Sequence, residues 1–280
     1  MLLYRIGPEG FYAAAEGVGE EVRVLHSDPF VTRPGGWELG RIVDLATAGL
    51  LAPVLPGKII GIGRNYVEHA DELGNPRPEE PVIFLKAPSS VIGPRRPVVL
   101  PPQSERVEFE GEVAVVLADR VRRASAEEAA TSILGITAAC DVTARDIQRR
   151  DPTFARGKSF DTFCPLGPAI RVGSDLAEVM AEATVVTRVN GEERQRGHAS
   201  QMTWSIPELV AWVSGCMTLE PGEVLLTGTP AGVGPLADGD RLEVEVSGVG
   251  VLECPVEADR TATSGRRGVT SPAAEGGAPA

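Results

Sequence analysis

Glu108, Glu110 and Glu112 alternate through the stretch Val107-Glu108-Phe109-Glu110-Gly111-Glu112-Val113. In a strand, alternate side chains share a face, which puts all three carboxylates on one side. Such a row repels itself unless water, basic side chains or a cation neutralises it. The residues that follow, Val113 to Leu117, are apolar at every position. Apolar residues at both parities mean a strand buried on both faces. Carboxylates at the mouth of a core strand suit a hard cation such as Mg²⁺, Mn²⁺ or Ca²⁺. The alternative is a solvated strand face at a sheet edge, and the stretch alone leaves both open.

Other residues carry chemistry by spacing. His69 and Glu72 stand three apart, and on a helical turn they share a face. A carboxylate beside an imidazole makes a general base; the alternative is a surface turn. Asp141, Arg145 and Gln148 fall at spacings of four and three, which on a helix places an acid, a guanidinium and an amide together. An Arg fork suits a substrate carboxylate, and an ordinary surface ion pair is the alternative. Lys158, in Gly157-Lys158-Ser159, reads as a loop lysine outside any phosphate-loop frame. Thr227-Gly228-Thr229-Pro230 reads as a loop whose amides and hydroxyls are free to meet a small anion, or as an ordinary turn. His26 and His198 have no acidic or cysteine partner at ligand spacing and read as surface residues.

These side chains need a scaffold, and the composition favours a β-rich one. The chain has 280 residues, 42% hydrophobic and 24% charged, with 32 Gly and 23 Pro among many short Val-rich runs. Strands are expected at Leu2 to Ile6, Gly10 to Ala14, Glu21 to Leu25, Ile59 to Ile62, Pro81 to Lys86, Gly135 to Ala139, Glu223 to Leu226, Leu242 to Val246 and Val251 to Val256. Asn190-Gly191 between Val-rich arms predicts a hairpin turn. Capping boxes at Ser125–Glu128 and Ser205–Glu208 predict the starts of two short helices. Leu51 to Lys58, broken by Pro53, Pro56 and Gly57, reads as a linker. The expected organisation is a small N-terminal subdomain over 1–53, a catalytic domain over 57–256 and a disordered tail over 259–280.

A net charge of −12, with no basic stripe, argues against a nucleic-acid partner. No apolar run approaches the roughly 18 residues of a membrane span, and the first residues lack the pattern of a secretory signal. Four scattered cysteines without C-x-x-C spacing suggest reduced thiols in the cytoplasm.

Taken in order, several blocks resemble the fumarylacetoacetate hydrolase family. They are Gly63-Arg64-Asn65-Tyr66 with His69 and Glu72, Glu110-Gly111-Glu112, Asp141 through Arg145 and Gln148, and Gly157-Lys158-Ser159. Asn190-Gly191-Glu192 and Thr227-Gly228-Thr229-Pro230 with Gly232-Val233-Gly234 complete the set, which covers about residues 57 to 256. The resemblance implies a mainly β (α+β) fold, a mixed β-sandwich and roll with few short helices. It implies Glu110, Glu112 and Asp141 as ligands of Mg²⁺ or Mn²⁺, with Ca²⁺ a further candidate. His69 with Glu72 would activate water, Lys158 would add positive charge, and Arg145, Gln148 and Thr229 would hold a small 2-oxoacid. Phe109 and Cys140 depart from the tyrosine and asparagine common there. The activity implied is hydrolysis of a carbon–carbon bond in an acylpyruvate through a metal-bound enolate, as in the breakdown of aromatic compounds. Isomerisation of an unsaturated 2-oxo diacid and decarboxylation of oxaloacetate are the alternatives. A homodimer is implied by the resemblance alone.

Overall fold

The acidic stretch runs into the centre of a large sheet. In a computed structural model, which describes residues 1–17, 21–67 and 78–260, strand β10 (Gly111–Leu117) pairs antiparallel with β11 (Ile133–Cys140) and with β16 (Val224–Leu226). Both faces of β10 are covered. Val113, Val115 and Leu117 enter one apolar cluster, whereas Ala114 and Val116 enter a second on the opposite side. The unbroken apolar run is thus explained by burial at both parities.

Around these central strands the sheet has the order β4-β3-β2-β1-β13-β11-β10-β16-β5-β6. The N-terminal strands β1 (Leu2–Ile6), β2 (Phe11–Ala15), β3 (Val22–Leu25) and β4 (Leu39–Val43) form one end. They join through β1 to β13 (Cys164–Arg171), with Leu2 opposite Arg171. The first 43 residues therefore extend the same sheet that carries the acidic strand. At the other end lie β5 (Ile59–Gly63), parallel to β16, and the edge strand β6 (Val82–Lys86).

A second, five-stranded sheet of order β15-β14-β18-β19-β8 packs over the first. Its strands are β8 (Val98–Leu100), β14 (Thr184–Val189), β15 (Glu192–His198), β18 (Arg241–Val246) and β19 (Gly250–Ala258). β14 and β15 are joined at Asn190 (φ 56°) and Gly191 (φ 81°), the left-handed pair that a tight hairpin requires. A small third sheet, β12-β9-β17, is built from Thr143–Ala144, Val107–Phe109 and Gly234–Pro235.

Helices are few and short. Both predicted capping boxes form, on Ala126–Thr131 and on Ile206–Cys216. The fold is mainly β, as the composition favours, with the mixed sheets and few short helices that the family resemblance implies. Among the described residues, no helix is long and apolar enough to cross a membrane. All four cysteines are free, with Cys140, Cys164 and Cys254 buried and Cys216 exposed.

Candidate active site

The acidic stretch is not one continuous strand. β9 (Val107–Phe109) ends before Glu110 and β10 begins after it, so the chain passes from the small sheet to the large one at that residue. The switch depends on Gly111. A Cβ there would lie 1.9 Å from Thr187 Oγ1 of β14, so no larger residue fits beneath the second sheet. The Gly111 N–H donates to Gln195 Oε1 at 3.0 Å, which ties the bend to β15.

At this bend Glu110 and Glu112 meet Asp141, which directly follows β11. Ligand oxygens of the three lie within 4.8 Å of one another, and all three side chains are buried. The Asp141 N–H donates to the Glu110 carbonyl at 2.8 Å, coupling the two acidic segments through backbone. Glu108 is also buried and accepts from Arg145, but it is not one of the three acids whose oxygens cluster.

Three buried cations face these acids. The Lys158 ammonium donates to Glu110 Oε2 at 2.7 Å and to Asp141 Oδ2 at 2.5 Å. Arg145 donates through Nε to Glu108 at 2.6 Å, through Nη1 to Gln148 Oε1 at 2.6 Å, and through Nη2 to Glu110. Lys86, at the end of β6, donates to Asp141 Oδ1 at 2.6 Å. Four buried carboxylates therefore meet three buried cationic side chains, and the acid least provided for is Glu112. Its hydrogen bond comes from the Gly228 N–H at 2.7 Å. Burial first, and then the charges of Asp141 and Glu110, push its carboxyl well above the usual range. Burial pulls the Lys158 ammonium down, but Asp141 and Glu110 outweigh it and the net shift is upward. Arg145 is likewise held firmly charged by Glu110 and Glu108 against its own burial.

Glu110 and Glu112 of the cluster open onto a cavity of about 240 Å³, with Asp141 buried behind them. Glu110, Glu112, Arg145, Gln148, Lys158 and Thr229 line it, along with Ile62, Val82, Phe84 and Phe154 as apolar wall and Arg64 and Arg149. The Lys158 ammonium lies 4.8 Å from the centre of the Phe84 ring, a cation–π contact in which the ring shields the ion from solvent.

Several sequence expectations change here. Lys158 is no solvated loop charge: it ends a one-turn helix, Ala155–Lys158, and is buried. Asp141, Arg145 and Gln148 do not share a helix. The helix spans only Arg145–Gln148, and the strand pair Thr143–Ala144 separates it from Asp141. The hydroxyls of the Thr-Gly-Thr loop are not free, because Thr227 donates to Val113 O at 2.8 Å and Thr229 to Gly111 O at 2.9 Å. The anion that the loop meets is the chain's own Glu112. His26 is exposed; His198 is half-buried, with Nδ1 against Ser200 at 2.8 Å and Nε2 3.5 Å from Glu182. His69 and Glu72 lie outside the described residues.

Sequence reasoning overlooked Lys86 and Gln195. Gln195 donates to Thr229 Oγ1 at 2.8 Å and to the Pro230 carbonyl at 2.7 Å while accepting from Gly111. Its one local signal was a position next to the Asn-Gly hairpin turn. Lys86 had only a place at the end of an apolar strand, where a lysine is usually solvated.

The donor set fits a hard divalent cation. It offers three carboxylate oxygens, without thiol or imidazole among them. Fold and site together define a β-rich enzyme with an acidic, oxygen-donor centre under a basic, half-apolar cavity. Residues 58–257 match the family model described as fumarylacetoacetate (FAA) hydrolase C-terminal, and the chain belongs to that family of enzymes. It is 47% identical over 213 residues to an uncharacterized protein of Archaeoglobus fulgidus, covering 76% of this chain and 84% of the relative. It is 44% identical to the mitochondrial oxaloacetate tautomerase of Homo sapiens, covering 72% of this chain and 67% of that one. The crystal structure of 5-carboxymethyl-2-hydroxymuconate delta-isomerase from Mycobacterium smegmatis superposes with a TM-score of 0.82 at 41% identity, over 92% of this chain and 100% of that chain.

Proposed function

We propose that this protein moves a proton between carbon and oxygen in a 2-oxo dicarboxylic acid, acting as a tautomerase or isomerase. The observation that carries the reading is the cavity, whose lining combines the carboxylates of Glu110 and Glu112, the apolar side chains of Ile62, Val82, Phe84 and Phe154, and the arginines Arg64, Arg145 and Arg149. A short carbon chain with an oxoacid at one end and a carboxylate at the other matches that mixture of acidic, apolar and basic side chains. Relatives named for oxaloacetate, a diacid, and for 5-carboxymethyl-2-hydroxymuconate, an unsaturated acid with a further carboxylate, support it.

Glu110, Glu112 and Asp141 would hold Mg²⁺ or Mn²⁺, which supplies Lewis acidity toward the negative charge that enolisation places on the 2-oxo oxygen. Lys158 adds a fixed positive charge beside that oxygen, in a pocket where water does not screen it. Arg145 has committed three of its N–H groups to Glu108, Glu110 and Gln148, so it stiffens the floor and offers the substrate carboxylate its charge and remaining donors. Gln148 and Thr229 complete the polar lining at the oxoacid end. His69, with Glu72 three residues on, is the base that takes the proton from carbon.

A second reading is hydrolysis of an acylpyruvate, favoured by the same His69 and Glu72 spacing, which serves equally to deprotonate water. Decarboxylation of oxaloacetate would use the floor without a water-activating base. The protein would work as a homodimer, which sedimentation of the purified chain would check.

One panel separates these readings. Enol absorbance is followed for oxaloacetate and for an unsaturated 2-oxo diacid, and pyruvate release for acetylpyruvate, fumarylpyruvate and oxaloacetate, each with Mg²⁺, Mn²⁺ or EDTA. Metal-dependent loss of the enol signal without pyruvate is the expected result. Pyruvate from an acylpyruvate would move the assignment to hydrolysis, and pyruvate from oxaloacetate to decarboxylation. Inactivity on every member would overturn the reading.

A further inference from the structure

Lys86 lies beneath the site and lines no part of the cavity. Its side chain is fully buried. The ammonium has three N–H groups and three acceptors, Asp141 Oδ1 at 2.6 Å, the Lys158 carbonyl at 2.5 Å and the Val142 carbonyl at 3.2 Å. It therefore holds the oxygen of Asp141 that Lys158 does not, and it holds the backbone of Lys158 itself. We propose that Lys86 is a positioning residue: it fixes Asp141 and the placement of the Lys158 ammonium, and its charge restrains the triad's affinity for a divalent cation.

This rests on reading Glu110, Glu112 and Asp141 as cation ligands. Two consequences of removing Lys86 have opposite signs. Electrostatically, loss of Lys86 removes one of the three buried cations that face the four buried carboxylates. A divalent ion at the triad is then attracted more strongly, by at least about tenfold at the short separations involved and an effective dielectric near 20. Geometrically, the Lys158 carbonyl loses its donor. The helix Ala155–Lys158 is a single turn, starts at a left-handed Phe154 (φ 61°) and has no side-chain cap, so Lys158 depends on this anchor for its aim. A displacement of about 1 Å in a group acting on a reacting oxygen lowers turnover by roughly 100-fold. A site that was merely loosened would instead lose both cation affinity and turnover.

The test is Mn²⁺ binding to the full-length protein, followed by electron paramagnetic resonance of the free ion, beside turnover on the substrate found above. Lys86→Met should bind Mn²⁺ at least about tenfold more tightly than wild type while kcat falls roughly 100-fold. Lys86→Arg, which keeps the charge, should bind Mn²⁺ as wild type does. A folded Lys86→Met protein that binds Mn²⁺ no more tightly than wild type, or that turns over at the wild-type rate, overturns the proposal. Lys86→Gln is read by the same criteria where the methionine variant does not fold. Wild-type protein that binds no Mn²⁺ overturns the ligand reading and this inference with it. Wild-type protein that binds Mn²⁺ but turns over nothing overturns only the proposed reaction, and the Mn²⁺ comparison then decides the case for Lys86.

Discussion

Among the buried acids of the site, Glu112 differs from its neighbours in having no cationic hydrogen-bond partner among the described residues. Glu110 and Asp141 each accept from Lys158, and Glu108 accepts from Arg145 and from Arg106. Glu112 accepts from one backbone N–H. That difference makes it the residue whose replacement should be clearest to read. Glu112→Gln keeps the size of the side chain and an acceptor for Gly228, and removes one negative charge from the triad. The variant is expected to fold but to bind Mn²⁺ at least about 100-fold more weakly. At a concentration of about 100 times the wild-type Kd, Mn²⁺ should stabilise wild type by about 2.7 kcal/mol and the variant by no more than about 0.4 kcal/mol, as thermal denaturation would show. Equal stabilisation of both proteins would remove Glu112 from the ligand set.

At the scale of elements, the site is made by a strand that changes sheets. β9 belongs to the small sheet and β10 to the large one, and the second large sheet presses on the joint through Thr187 and Gln195. Gly111 is the contact point, and a methyl group there would collide with Thr187 Oγ1. Gly111→Ala should therefore cost about 1–3 kcal/mol in urea unfolding. Thr187→Ala opens the space, and because Thr187 Oγ1 makes no hydrogen bond among the described residues its removal strands no partner there. The double variant Gly111→Ala/Thr187→Ala should recover part of the loss, a coupling expected of touching residues. Strict additivity would show that the close approach is not what selects glycine.

For the whole molecule, the burial that shapes the core also sets a limit at high pH. Burial raises the thiols of Cys164 and Cys254 from 9.0 to about 12. A raised pKa means that the folded state keeps its proton where the unfolded chain has lost it. Above pH 9 the unfolded state therefore binds fewer protons, and stability falls as pH rises. Each thiol contributes a slope of up to about 1.4 kcal/mol per pH unit between its two pKa values. The melting temperature should fall between pH 9 and pH 11, and Cys164→Ala/Cys254→Ala should flatten that fall whatever its effect at neutral pH. An unchanged slope would mean that the thiols titrate alike in both states.

The sequence alone determined what local rules govern. Apolar residues at both parities from Val113 to Leu117 marked a strand buried on two faces, Asn190-Gly191 marked a hairpin, and Ser125 and Ser205 marked helix starts. Each signal depends on neighbours a few residues away. The motif order along the chain also carried the family, because six short blocks in sequence are far more specific than one. Tertiary structure decided the rest. Glu110 and Glu112 reach Asp141 through the change of sheet at Gly111, which is imposed by Thr187 about 76 residues further along. Local grounds gave Lys158 as a loop lysine and Lys86 only as the end of a strand, and packing shows both buried against Asp141. Gln195 joins the bend to the Thr229 loop across two sheets. The physical reason is common to all three: a polar side chain's partners are set by which strands lie side by side, and spacing within one segment carries no record of that.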